Sequence, residues 1–335
     1  MTKKYNIAVV GATTNIGLET LSVLAERNFP INTVYAAGAS DEIGKEVSFG
    51  DEILKMTNIA DLDFSKVNIA FFCSSSDISK QYAAKAAAKG CIVIDKSTVF
   101  SGDANVPVIV PEANVAMLSN YQKKNMVITP TSCCVALAAA LKPLDNAAKL
   151  KRVVVSTYQS TSGVGKEAMD ELYHQTKSKY SFNDYDSKAL PKQIAFNLFP
   201  QIGAFGSDNL TEEERRIESE FVRVVGDHAK ISVTCVRVPV FLGHSMSVNV
   251  EFEKEMDAAE ARQILKESES IDLVENNHEY ITPIEVAGED QVYVCRVRDD
   301  ASKKNSINLW ITFDNIRKGT AINSVKIAEE ITYTR

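Results

Sequence analysis

Short apolar runs without alternation recur through the first third of the chain: Asn6 to Val10, Thr33 to Ala37, Ile69 to Cys73, Cys91 to Ile94 and Val108 to Val110. That is the pattern of strands covered on both faces. Between them, Leu18 to Arg27 and Asp77 to Lys89 repeat at helical spacing. Strands alternating with helices predict a parallel, doubly wound sheet. A further strand ends near Ile128, a Pro130-Thr131-Ser132 turn follows, and an Ala/Leu-rich helix begins there and is expected to stop before Pro143. Thr131 or Ser132 can cap that helix. Its first-turn amides would favour a thiolate at Cys133 or Cys134, lowering a thiol pKa from about 8.5. The same two cysteines also fit a role as small buried hydrophobes.

Composition narrows the class. The 335 residues are 45% hydrophobic, enough for a large core and about two domains. A formal net charge of −7 disfavours a nucleic-acid partner, because no broad basic surface is available for phosphates. The six cysteines are widely spaced apart from Cys133-Cys134, and no metal-ligand spacing appears. The N-terminal apolar run is too short for a signal segment and ends in Gly11, so it reads as a first strand of a cytoplasmic protein with reduced thiols and no membrane partner.

Gly11-Ala12-Thr13-Thr14-Asn15-Ile16-Gly17 joins the first strand to the first helix. Such a turn brings helix N-terminal amides under a phosphate, although a plain tight turn uses the same residues. Gly11-Ala12-Thr13 with Gly17, Val110-Pro111-Glu112-Ala113-Asn114 and the stretch from Ser156 to Lys166 resemble the aspartate-semialdehyde dehydrogenase family. So do Phe196 to Ile202, Arg237 to His244 and Asp314 to Gly319, all in family order over nearly the whole chain.

The resemblance implies an α/β protein, with a Rossmann-like dinucleotide-binding domain over 1–131, completed by a C-terminal helix over 315–335, and an α+β dimerisation and substrate domain over 132–314. Lys151 to Ser156, Ser232 to Val238, Ser245 to Glu253 and Ser306 to Phe313 would supply the second sheet, and Asn323 to Ile331 the returning helix. His174 to Lys192 would be a surface excursion near the contact of a homodimer. The implied activity reduces aspartyl-4-phosphate to aspartate-4-semialdehyde, reversibly, through an enzyme thioester, with NADP as cofactor and phosphate as co-substrate, in lysine, threonine and methionine biosynthesis.

Roles follow residue by residue from the same resemblance. His244 would be the base near neutral pH, and Gln159 would orient the acyl group. Arg237 would grip the substrate carboxylate with its planar fork. Glu213 would meet the substrate amine and Arg216 the phosphate. Gly11, Thr13, Thr14, Asn15, Ile16, Ser162, Gly163 and Asn315 would contact the dinucleotide.

Several positions depart from the family pattern. The family turn reads Pro-Asn-Cys, which places Ser132 at the nucleophile position and Cys133 one residue on. A serine hydroxyl is a weak nucleophile and gives an ester rather than a thioester, so Cys133 is the candidate nucleophile if the turn shifts. Ser101 replaces a phosphate-binding arginine, Thr14 puts a side chain in place of a second glycine, and Lys326 replaces a glutamine. Asp41 and Glu42 replace the Arg-Ser that meets the 2′-phosphate of NADP, which favours NAD. Two alternatives stand beside the enzyme: a folded, catalytically impaired dimeric protein, and an enzyme similar to N-acetylglutamyl-phosphate reductase.

Overall fold

The computed structural model describes residues 3–181, 183, 185–276 and 278–333. The chain divides into two compact units, residues 1–131 with 320–335, and residues 132–319.

The first unit opens with β1 (Tyr5–Val10), α1 (Asn15–Glu26) and β2 (Ile31–Gly38), followed by a hairpin of β3 (Glu46–Phe49) and β4 (Glu52–Lys55). It continues through β5 (Thr57–Asn58), β6 (Ile69–Phe72), α2 (Ser76–Ala88), β7 (Ile92–Asp95), α3 (Pro111–Asn114) and β8 (Met126–Ile128). Six strands pair in the order β5-β2-β1-β6-β7-β8. Every pair is parallel. This is the dinucleotide-binding strand order, with its switch point between β1 and β6. Ile7, Val9, Ile69, Phe71, Ile92 and Ile94 face a core completed by Leu21 and Leu24 of α1. Ile322, Val325, Ile327 and Ile331, from the end of the chain, join the same core.

Two local expectations fail here. Val108 to Val110 forms only an isolated bridge from Val108 to Ile128, because Pro107 cannot donate to a ladder and Pro111 starts α3. The β3–β4 hairpin has no counterpart in the expected elements.

The second unit begins with α4 (Ser132–Ala148), then β9 (Leu150–Gln159), α5 (Lys166–Tyr180), α6 (Glu212–Val225), β10 (Lys230–Arg237) and β11 (His244–Phe252). α7 (Ala258–Lys266), β12 (Ile271–Leu273), β13 (Val292–Asp299) and β14 (Ser306–Phe313) complete it. Its mixed sheet runs β10-β9-β11-β14-β13-β12. Alternation sets its faces: Val153, Val155, Met246, Val248, Leu309 and Ile311 are buried. Val154, Ser156, Tyr158, Asn249 and Trp310 lie half-buried at the intervening positions.

α4 does not stop before Pro143 but carries it inside. The proline forfeits one backbone bond, at about 3 kcal/mol in an ordinary helix interior. Beyond it, Leu144 and Ala148 are buried and Asp145 binds Lys142 Nζ at 2.7 Å, His228 Nε2 at 2.7 Å and Leu150 N at 3.0 Å. Those contacts offset the lost bond.

His174 to Lys192 is also not simply an excursion. His174 to Tyr180 is the end of α5, and Ala168, Leu172, Leu190, Ile194 and Phe199 form a small core of their own. Phe182 and Asp184, within that segment, lie outside the described residues, as do Met1, Thr2, Thr334 and Arg335 at the ends of the expected first domain. After a π-helical turn over Arg317–Ile322, α8 (Asn323–Tyr333) returns to the first unit, where Lys326 Nζ binds Glu112 Oε1 at 2.7 Å.

Candidate active site

In the first unit the turn after β1 has the geometry of a phosphate cradle. Gly11 has φ +79°, and a Cβ there would lie 2.9 Å from Ser74 Cβ and 3.1 Å from the Cys73 carbonyl, so backbone passes bare over the end of β6. A Cβ on Gly17 would lie 2.1 Å from the Gly11 oxygen, which makes glycine obligatory for the close approach of α1 to β1.

Thr14 does not intrude on this turn as expected. It is the N-cap of α1: its Oγ1 accepts from Gly17 N at 3.0 Å and lies within donating distance of the Gly11 and Cys73 carbonyls, at 2.8 and 3.0 Å. The hydroxyl is thus turned inward, and it supplies the cap that a glycine would lack. Asn15 and Ile16 form the first turn of α1, and Ile16 packs partly against the core. These residues fit a dinucleotide.

Glu42, just beyond β2, is tied into the same turn. It accepts from Thr13 Oγ1 and, at 3.0 Å, from Ala39 N. An acid near the end of the second strand is where a dinucleotide fold binds the ribose 2′-hydroxyl of NAD. Ser101 lies in another turn of this unit, its Oγ donating to the Thr98 carbonyl at 2.7 Å.

The second unit brings Cys133, Gln159, Glu213, Arg237, His244, Ser162, Gly163 and Asn315 into one cluster. Cys133 is the second residue of α4 and fully buried; Gln159, at the end of β9, donates from Nε2 to Cys133 Sγ at 3.1 Å and to Glu213 Oε1 at 3.2 Å. Arg237, at the end of β10, is 3% exposed and donates from Nη1 to the Ser160 carbonyl at 2.5 Å. Among the described residues no carboxylate lies within ion-pair distance of it. A buried guanidinium without an ion-pair partner suits an incoming anion.

The thiol does not have the activation expected of a helix start. Burial pushes Cys133 well above the ordinary thiol value, the Glu213 charge and Cys235 push the same way, and Gln159 and Arg237 oppose them only in part. Burial also drives Cys134 up, with Glu220 adding to it. Ser132, at the family nucleophile position, is half-buried and packs on Gly319, where a Cβ would lie 2.5 Å from Ser132 Cβ.

His244 also differs from expectation. Enclosure and the Arg237 charge lower its pKa to about 3, against a smaller upward effect of the Gly243 backbone. It is therefore no near-neutral base in this state. Its Nδ1 accepts from Ser160 N at 3.2 Å, and Ser160 Oγ lies 3.0 Å away. A backbone N–H can only donate, so the neutral ring carries its proton on Nε2.

The turn beside it is held by Asn315, whose Oδ1 accepts from Ser162 Oγ at 3.1 Å, Ser160 Oγ at 3.3 Å and Gly243 N at 3.0 Å. A Cβ on Gly163 would lie 3.2 Å from both Arg237 Nη1 and His244 Nε2, close enough to press both groups aside by a few tenths of an ångström. Arg216 Nε binds Glu220 Oε1 at 2.7 Å, an ion pair along α6 that competes with its expected use on phosphate. Ser160 and Cys235 were not among the expected site residues. A strand-end serine has no local signal that it will hold an imidazole 84 positions away.

Comparison with known proteins identifies the family. The family described as semialdehyde dehydrogenase, NAD binding domain, matches residues 6–121, and semialdehyde dehydrogenase, dimerisation domain, matches residues 141–318. Aspartate-semialdehyde dehydrogenase of Rickettsia conorii is 56% identical over 99% of this chain and 98% of its own length, and that of Rickettsia bellii is 54% identical over 100% and 99%. A crystal structure of aspartate semialdehyde dehydrogenase II from Vibrio cholerae superposes with a TM-score of 0.97 at 35% identity, covering 99% of both chains. With this similarity over its full length, the chain belongs to the aspartate-semialdehyde dehydrogenase family.

Proposed function

We propose that this protein reduces the acyl phosphate of aspartate to its semialdehyde, reversibly, through a thioester on Cys133, and that it prefers NAD over the NADP implied by resemblance. The observation that carries the reading is the assembly of Gln159, Glu213 and Arg237 around the Cys133 thiol. An α-amino acid has a carboxylate for Arg237 and an ammonium group for Glu213, and the two grips orient its side-chain carbonyl. The substrate is then read as a zwitterion.

In the reductive direction the Cys133 sulfur attacks the acyl carbon and phosphate leaves with the C–O bonding pair, giving a thioester. Gln159 Nε2, already beside the sulfur, directs the acyl group. When bound, a nicotinamide would supply a hydride to the thioester carbon; the carbonyl oxygen then carries the charge until the C–S bond breaks, returning the Cys133 thiolate and freeing the aldehyde, and oxidation follows the reverse course. His244, neutral with its proton on Nε2, hydrogen-bonds the oxygen on which charge develops, and Ser160 and Asn315 hold the ring and its turn in place. In the first unit, Gly11, Thr13, Asn15 and Ile16 would hold the dinucleotide, with Glu42 on its ribose. Arg216 would contribute to the phosphate site only by exchanging Glu220 for phosphate. The second-unit sheet, with the Tyr158 and Trp310 rings tilted against each other at 5.3 Å on its half-buried face, is the proposed surface of a homodimer. No described helix is long and apolar enough to cross a membrane. The cytoplasmic location proposed for the protein rests on the family resemblance alone.

The test is a phosphate-dependent assay of NAD and NADP reduction with aspartate semialdehyde, run on the parent, Cys133→Ser and Ser132→Cys. Activity abolished by Cys133→Ser supports the reading. An inert parent revived by Ser132→Cys means that the nucleophile position has been lost on an intact scaffold. Inertness in both supports the non-catalytic dimer, a reading favoured by the full enclosure of Cys133. The 54–56% identity to aspartate enzymes argues against the N-acetylglutamyl phosphate alternative.

A further inference from the structure

The cluster around Cys133 contains one carboxylate, Glu213, that feels the Arg237 charge but forms no close ion pair among the described residues. Glu213, in the first turn of α6, takes a single side-chain hydrogen bond among the described residues, from Gln159 Nε2 at 3.2 Å. The same Nε2 lies 3.1 Å from Cys133 Sγ. One amide group therefore joins the carboxylate to the sulfur. The ionisable groups that face the sulfur are Glu213 on α6 and Cys235 and Arg237 on β10, while β9 contributes the neutral Gln159. Arg237 is the only cation in this set, and its Nη1 is held by the Ser160 carbonyl.

We propose that Glu213 keeps the Cys133 thiol protonated in the resting protein and releases it when the ammonium group of an amino-acid substrate pairs with the carboxylate. The proposal rests on Cys133 as nucleophile and adds a substrate-triggered switch to it. Burial alone disfavours a thiolate, and a carboxylate without a close ion pair that shares the same hydrogen-bond donor disfavours it further by like-charge repulsion, which Arg237 offsets only in part. An ammonium group on Glu213 cancels that repulsion and frees the Gln159 amide for the sulfur alone. The thiol proton leaves to solvent, and the thiolate forms only when an amino-acid-shaped ligand is in place. The direction of the Cys133 shift, to which Glu213 contributes after burial, agrees with this arrangement.

Thiolate absorbance in the ultraviolet, followed against pH in the whole protein and in Cys133→Ser, isolates the titration of Cys133 by difference. Glu213→Gln is expected to lower its midpoint by about 1–2 pH units, the size of one partly screened charge at close range. Saturating alanine, which has the ammonium and carboxylate groups but no reactive carbonyl, is expected to lower the parent midpoint similarly and to leave that of Glu213→Gln unmoved. Glu213→Thr, checked by circular dichroism, repeats the measurement should glutamine disturb the start of α6. Equal midpoints in the parent and both Glu213 variants overturn the proposal, as does an alanine effect that is absent from the parent or equal in all three. Turnover of the parent and of Cys133→Ser is read separately, so a Cys133 that titrates as expected without supporting catalysis refutes the nucleophile assignment rather than the switch.

Discussion

Replacing Glu42 with alanine tests the cofactor reading directly. The carboxylate is half-buried and held by Thr13 Oγ1 and Ala39 N beside the turn after β1. A ribose 2′-hydroxyl can donate to it, whereas a 2′-phosphate brings about 1.5–2 negative charges against it. At about 5 Å, a pair of like charges repels by about 0.8 kcal/mol in water and about 3 kcal/mol at an effective dielectric of 20. A half-buried carboxylate falls between these limits, and salt lowers the figure further. The parent should therefore favour NAD over NADP by about 10- to 100-fold in kcat/KM, with about 1.4 kcal/mol for each factor of ten. Glu42→Ala should lose most of that ratio by gaining NADP activity as well as losing NAD affinity, and higher ionic strength should narrow the ratio in the parent. The assay is initial-rate kinetics with each cofactor at two salt concentrations. A parent that uses NADP as well as NAD, or a ratio unchanged in Glu42→Ala, would refute the reasoning.

Three more substitutions have defined outcomes. Pro143→Ala restores a backbone donor inside α4 and should stabilise the protein by about 1–2 kcal/mol in chemical denaturation, after allowance for the freer unfolded chain; no change would mean that the helix has fully adapted to the proline. Asp145→Asn tests the Lys142–Asp145–His228 group. Burial raises the Asp145 pKa, but the Lys142 and His228 bonds and the Leu150 amide outweigh it, so the folded value lies below the ordinary one. The parent's advantage, about 1–3 kcal/mol, should be fully present above about pH 4 and fade as the pH falls through the lower folded value; a gap between parent and variant independent of pH would contradict it. Gly163→Ala places a Cβ 3.2 Å from Arg237 Nη1 and His244 Nε2, so both must shift by a few tenths of an ångström. Turnover should fall about tenfold or more with little change in thermal midpoint, and unaltered kinetics would show that neither group needs its present position.

Several expected residues were legible because their signals are local. Gly11 and Gly17 punctuate a strand-to-helix turn, and Arg237 to His244 sits in a block resembling the family. Other expectations failed where a distant contact reversed a local rule. A helix start favours a thiolate at Cys133, yet the walls supplied by β9, β10 and α6 remove water and set Glu213 near it. Pro143 signals a helix end, but Asp145 anchors the following turn to His228, on the far side of α6 in sequence. Thr14 looked like an obstruction because its rotamer could not be known until the Cys73 carbonyl arrived beside it.

The sequence by itself determined the alternation of apolar strands and helices, the family blocks and the acid pair at Asp41-Glu42, since each is written in neighbouring residues. Only the tertiary structure decided that β1 lies between β2 and β6, that one amide of Gln159 serves both Cys133 and Glu213, and that a backbone N–H of Ser160 fixes the proton of His244. Desolvation, charge proximity and hydrogen-bond direction depend on groups far apart in the chain, so they exist only once the sheets have formed.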